Sequence, residues 1–141
     1  MAQAHKDYSA TPLPTKLGIR EGARVFVSGA PEGFDDVLGP LPTGVQRLGR
    51  AGSSMDVVLL FVNKEERELG SRFAKLAAEL HPAGRLWVAW PKKTSRLPTD
   101  LDLDIVQRRG LDAGLVDNKS ASITDAYQGL QFVYRLKDRP R

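Results

Sequence analysis

The chain has 141 residues and no cysteine. That absence excludes disulfides, thiolate nucleophiles, zinc fingers and iron–sulfur clusters together. Histidine is almost as scarce. His5 and His81 lie far apart in sequence, so no histidine-based metal site is expected, and no spacing supports a carboxylate-only one. Long apolar runs are missing too. The longest, Val57 to Val62, falls far short of the roughly 20 residues that a helix needs to cross a bilayer. Met1 to Lys16 contains no apolar segment of the secretory-signal kind. Together these absences point to a cytoplasmic address and no membrane partner.

What the chain does contain is 41% hydrophobic and 27% charged residues, enough apolar side chains for one core without covalent staples. The net charge of +4 invites a nucleic-acid reading. Its distribution argues against one. The last seven residues, Arg135 to Arg141, hold four basic side chains and one acidic. The body is therefore near neutral, and a nucleic-acid partner is not expected of a domain without a basic face of its own. The tail reads as a solubilising terminus, with contact to a polyanion as the alternative.

Local patterns set out the elements. Residues 1–16, with Thr11-Pro-Leu-Pro14, read as a partly ordered arm. Residues 17–136 read as one α/β domain and 137–141 as a basic tail. Arg24 to Ser28 alternates as a strand and runs into the loop Gly29-Ala-Pro-Glu-Gly33. Phe34 to Leu38 reads as a helical turn and Gly44 to Leu48 as a short strand. Met55 to Val62 is apolar at every position beyond Asp56, the mark of a strand covered on both faces. Asn63 and Glu66 have capping-box spacing, and the following helix carries one apolar stripe to Leu80. His81 to Gly84 is expected to turn the chain into the strand Arg85 to Trp90. Thr99 to Asp102 should open a second helix, which Gly110 weakens and Gly114 closes. Leu115 to Ile123 and Gln131 to Leu136 read as two antiparallel strands, with Tyr127 to Gly129 between them.

Strands alternating with helices predict a three-layer α/β sheet. From Asp56 onward the pattern resembles the second half of a Rossmann-like methyltransferase. The residues that carry the resemblance are Asp56-Val-Val-Leu-Leu-Phe61, Leu80-His-Pro-Ala-Gly-Arg-Leu86 and the terminal strand pair, with Ala83 where a glycine is usual. It implies a mostly parallel Rossmann-like sheet ending in an antiparallel hairpin. A cofactor site would then lie at the first strand's turn, where Gly29 and Gly33 would let backbone approach S-adenosylmethionine. Pro31 lacks an N–H donor there, and Val45 to Arg50 ends without the usual ribose-binding acid.

A second resemblance covers nearly the whole chain. Trp87-Val-Ala-Trp-Pro-Lys-Lys93, Asp100-Leu, Gly114-Leu-Val-Asp-Asn-Lys119 and Gly129-Leu-Gln-Phe-Val133 resemble a bacterial family, number three thousand and fifty-two in the domain-of-unknown-function series. Thr11-Pro-Leu and Lys16-Leu-Gly-Ile fit as well. The resemblance implies a small single-domain protein and brings no chemistry with it.

Several residues are candidates for a site. Lys92, Lys93, Thr94, Ser95 and Arg96 follow a strand's carboxyl end and suit a phosphate, sulfate or carboxylate. The plainer alternative is a solvated loop whose lysines pair with Asp100 or Asp102. Asp117 and Lys119 share strand parity, so both are expected on one face, as an ion pair or with Asp117 reaching Lys93. Trp87 and Trp90 should point to opposite faces, as core or, for Trp90, as a ligand platform. Tyr127 is placed to close over the same sheet end. No catalytic residue is assigned, since Ser28 lacks a nucleophile-elbow motif and a nearby histidine. The expectation is a non-catalytic domain without cofactor, binding a protein partner or a small anion at 91–96. The alternative is a divergent S-adenosylmethionine-dependent methyltransferase-like enzyme. Self-association through the hairpin edge, Leu115 to Leu136, is a further expectation.

Overall fold

The computed structural model describes residues 11–63 and 66–135, with the backbone alone at 66–68. The basic tail at 137–141, the first ten residues of the arm and the Glu66 half of the capping box lie outside the residues so described. Chain order is α1 (Leu13–Leu17), β1 (Arg24–Ser28), α2 (Phe34–Leu38), β2 (Gln46–Leu48), β3 (Met55–Phe61) and α3 (Glu66–Ala78). There follow β4 (Leu80–Pro91), a 3₁₀ turn (Lys93–Ser95), α4 (Leu103–Asp112), β5 (Leu115–Ser122) and β6 (Tyr127–Tyr134). No described helix is long and apolar enough to cross a membrane.

The six strands form one sheet in the order β2-β1-β3-β4-β6-β5. β2, β1, β3 and β4 run parallel, and β6 is antiparallel to both β4 and β5. This is the three-layer, mostly parallel α/β architecture with a C-terminal hairpin that the sequence predicts. β3 explains why. Its even positions Val58 and Leu60, with Val62 just beyond its end, pack under α3 and α4 with Leu69, Phe73 and Val106. Its odd positions Val57, Leu59 and Phe61 pack with Phe34, Leu38 and Leu17 on the opposite face. A strand buried on both sides must be apolar at both parities.

The two tryptophans divide as their spacing requires. Trp87 joins the α1–α2 face, where its Nε1 donates to Leu17 O at 3.1 Å. Trp90 lies on the α3–α4 face.

Four local expectations are corrected. Leu13–Leu17 is helical although it follows the proline-rich stretch, because Pro14 sits in the first turn, where no N–H is needed. β4 begins at Leu80 instead of Arg85. The stretch Leu80–Arg85 lies opposite only Met55–Val57, so the register shifts across extra residues on β4. Gly84 belongs to that bulge, where a Cβ would come within 2.8 Å of Met55 O. The helix expected at Thr99 starts at Leu103, capped by Asp102, whose Oδ1 accepts from Ile105 N at 2.9 Å. Tyr127 to Gly129 lies inside β6, because Thr124 Oγ1 accepts from the N–H groups of Ala126 and Tyr127 and turns the chain in few residues.

Candidate functional site

The strand order reverses at β1. The chain passes outward to β2 and then returns to β3 on the other side. In open α/β sheets, ligands bind outside the carboxyl ends of the strands at such a switch point. Here that edge is made by Gly29–Gly33 after β1, Val62–Asn63 after β3, Lys92–Leu97 after β4 and the turn at 123–126 before β6.

Two depressions open along it. The first lies over the switch point and has a volume of about 450 Å³. Glu32 and Gly33 of the β1 turn, Val37 of α2, Asn63, Leu97 and Asp125 are among the residues around it. Val37 is 52% exposed and Leu97 40% exposed, so the wall is apolar yet open to solvent. Glu32 and Asp125 are exposed carboxylates. Among the described residues no lysine or arginine lines this groove.

Tyr127 closes one end. Its hydroxyl donates to Asn63 Oδ1 at 2.9 Å, and its ring packs edge-on against Phe61 at a centroid distance of 5.2 Å. Asn63 Oδ1 therefore pins β6 to the end of β3, while the helix cap expected of it falls on residues 64–65, outside those described. Outside the groove's lining, Arg72 of α3 donates to Ser28 Oγ at the end of β1.

Gly29 and Gly33 both have positive φ, +73° and +81°. Their surroundings differ. A Cβ on Gly29 would lie 2.9 Å from Phe61 O, so this glycine seats the β1 turn against β3. A Cβ on Gly33 would meet nothing within 4 Å, because that position faces the groove. β2 ends at Leu48 and runs into Gly49 and Arg50, so no acid stands at its carboxyl end.

The second depression, about 900 Å³, lies on the α4 side. Trp90, Lys92, Lys93 and Thr94 form one wall, and Asp102 and Leu103 are on another. Among the predicted anion ligands, Ser95 and Arg96 do not line it. Ser95 Oγ donates to Lys92 O at 2.6 Å and accepts from Leu97 N at 3.2 Å, which commits it to the turn. Arg96 holds a left-handed backbone, φ +61°, that ends the turn. Lys92 Nζ donates to Ser122 Oγ at 2.7 Å. Among the described residues neither lysine forms an ion pair with Asp100 or Asp102.

The Asp117–Lys119 expectation is corrected. Asp117 pairs with Phe132 and Lys119 with Gln131, so Asn118 is an extra residue in the strand. One inserted residue reverses the parity beyond it. Asp117 accepts from Gln107 Nε2 of α4 at 3.1 and 3.2 Å. Lys119 Nζ donates to Lys16 O at the end of α1, at 3.0 Å, on the opposite face. Neither residue joins the site edge. Sequence reasoning also missed Val37, Leu97, Glu32 and Asp125, which are distant in sequence and converge only through the fold.

No family model matches the chain, and no curated protein does. Solved structures match its fold. Magnesium protoporphyrin IX methyltransferase from Synechocystis, with S-adenosylmethionine bound, is similar at 14% identity and a TM-score of 0.57, over 94% of this chain and 79% of that one. A TehB-like S-adenosylmethionine-dependent methyltransferase from Corynebacterium glutamicum is similar at 11% identity and a TM-score of 0.53, over 95% and 96%. A putative methyltransferase of Haloferax volcanii, solved with a methyltransferase activator, is similar at 10% identity and a TM-score of 0.55, over 95% and 92%. These likenesses concern the fold, and they correct two expectations. The expectations of a non-catalytic domain and of no cofactor are corrected: the solved structures that share this architecture along nearly the whole chain are methyltransferases, one of them with S-adenosylmethionine bound.

Proposed function

We propose that this chain is a divergent S-adenosylmethionine-dependent methyltransferase-like enzyme that holds its cofactor in the groove over the switch point. The observation that carries the reading is the composition of that groove: exposed apolar walls, two carboxylates and no cation among the described lining residues. S-adenosylmethionine presents a flat base, a sulfonium and an ammonium. Val37, Leu97 and Phe34 suit the base, and Glu32 and Asp125 suit the positive groups. A volume of about 450 Å³ lies within the usual range for small-molecule sites, roughly 300–1,000 Å³. When bound, the cofactor supplies an electrophilic methyl group.

The chain's own residues shape the edge around it. The Tyr127–Asn63 hydrogen bond fixes the hairpin turn against β3 and so positions Asp125. Gly33 leaves the floor of the turn without a side chain. The missing acid after β2 is the main departure from the methyltransferase pattern, and it leaves ribose recognition to the β1 turn and the hairpin turn. Membership of the bacterial family resembled by Trp87–Lys93 and Gly114–Lys119 is part of the same proposal. So is the cytoplasmic address.

Calorimetric titration with S-adenosylmethionine and its demethylated product tests the reading. Saturable heat is expected with both. Val37→Arg places a cation at an exposed position in the groove and should abolish that heat while leaving the unfolding transition in place. Absence of heat in the wild type, or undiminished binding in Val37→Arg, would falsify the assignment.

A further inference from the structure

We propose that the larger cavity, on the α4 side of the edge, is a second ligand site that takes an aromatic carboxylate. It is separate from the switch-point groove: the segment after β4 sends Leu97 into one and Lys92, Lys93 and Thr94 into the other.

The indole of Trp90 is the first observation. The residue is only 2% exposed, yet it lines the cavity. Among the described residues no acceptor pairs with its Nε1, whereas Trp87 Nε1 on the same strand is satisfied by Leu17 O at 3.1 Å. The indole Nε1 is not an enclosed atom left without a partner, and an indole N–H on a cavity wall can donate to an acceptor that enters the cavity.

The second observation is an exposed leucine facing the same space. Leu103, at the first position of α4, is 52% exposed and lines the cavity with Leu101. With Trp90 it forms an apolar slot suited to a flat ring.

The third is the state of the charges. Asp102 is engaged in capping α4, and Asp104 lies in that helix's first turn, where the helix dipole favours a carboxylate. Lys92 is held by Ser122 Oγ. Lys93 is exposed, and among the described residues nothing accepts from its ammonium. Four charges thus line the cavity, those of Asp102 and Asp104 and those of Lys92 and Lys93, and Lys93, beside the Thr94 hydroxyl, is the ammonium with no acceptor among the described residues. An apolar slot ending in one ammonium, one hydroxyl and one indole N–H is complementary to a ring bearing a carboxylate. In the methyltransferase reading this ligand is the methyl acceptor, but the binding proposal does not require a cofactor.

The test is therefore run without one. Phenylpropionate is titrated into the full chain and followed by calorimetry and by tryptophan fluorescence, with phenylpropylamine as the charge-reversed control. Saturable binding of the acid and none of the amine is expected. Lys93→Ala should weaken the acid by about tenfold, the scale of one charge-assisted hydrogen bond. Leu103→Arg, at an exposed position and therefore tolerated by the fold, should block the slot. Failure of phenylpropionate to bind at millimolar concentration, equal binding of the amine, or unchanged affinity in both variants would overturn the proposal. Each of these results is independent of whether S-adenosylmethionine binds.

Discussion

Gly110 sits in the third turn of α4, directly over Phe132 of β6. A Cβ added there would lie 2.0, 2.4 and 2.8 Å from three atoms of the Phe132 ring. The ring cannot retreat easily. Phe132 is fully buried and packs edge-on against Phe73, with centroids 5.0 Å apart and planes at 88°. Gly110→Ala therefore sets two effects against each other. Alanine favours the helix by roughly 1 kcal/mol, and it reduces the freedom of the unfolded chain. Overpacking a filled core costs typically about 1–3 kcal/mol, and overlap with three ring atoms belongs at the upper end. The net expectation is destabilisation by about 1–2 kcal/mol, or a fall in Tm of roughly 3–8 °C. Urea unfolding followed by circular dichroism measures it. Pairing the substitution with Phe132→Leu, which removes the obstructing ring edge, should cancel most of the penalty of the alanine in a double-mutant cycle. If Gly110→Ala were as stable as the wild type or more so, α4 would not approach β6 as closely as described, and the wall of the larger cavity would have to be redrawn.

Other contacts carry further expected outcomes. Burial pushes the Tyr134 phenol above its ordinary 10.0. The unfolded chain then ionises first as pH rises, so stability should fall from pH about 10 upward. Tyr134→Phe should remove that fall, and phenolate absorbance should show one group titrating late. Trp87→Phe loses the hydrogen bond to Leu17 O and leaves part of a filled space empty, and denaturant titration should register a loss of about 2–4 kcal/mol. Arg47→Ala breaks the 2.7 Å pair with Asp35, whose side chain is 76% exposed. The change in unfolding free energy should stay below about 0.5 kcal/mol, and a larger loss would mean that β2 depends on this pair to stay on the sheet edge.

The fold was legible where burial is two-sided or patterning is strict. β3 had to be apolar at both parities, and α3 had to show a single stripe, so both were readable from the order of apolar residues alone. Element ends were less so. Pro12-Leu-Pro14 looks like a helix breaker until Pro14 is seen to occupy the one turn where proline is harmless. The inserted Asn118 leaves no mark in sequence, yet it sends Asp117 to α4 and Lys119 to α1. Gly110 carries the reverse lesson: by propensity it weakens α4, and by packing it lets α4 reach Phe132.

The site was half legible. The turn Gly29–Gly33 and the loop after Trp90 were identifiable because strand ends at a parallel sheet edge are where ligands gather. Which of their residues face a ligand was not. Ser95 turns inward to its own loop, while Val37, Leu97 and Asp125, individually unremarkable surface residues, meet over the switch point. The non-catalytic reading failed for a related reason. It weighed missing motif residues above the resemblance from Asp56 onward, whereas the likeness to solved methyltransferases is one of fold along nearly the whole chain at 10–14% identity.

The central claim is that the switch-point groove holds a sulfonium nucleoside. Backbone amide chemical-shift mapping during titration with S-adenosylmethionine tests it most directly. Saturable shifts confined to Gly29–Phe34, Asn63, Leu97 and Thr124–Tyr127 are expected, with Leu115–Ser120 of β5 unmoved. Shifts clustered at Lys92–Thr94 and β5, or no saturable shifts at millimolar ligand, would contradict it.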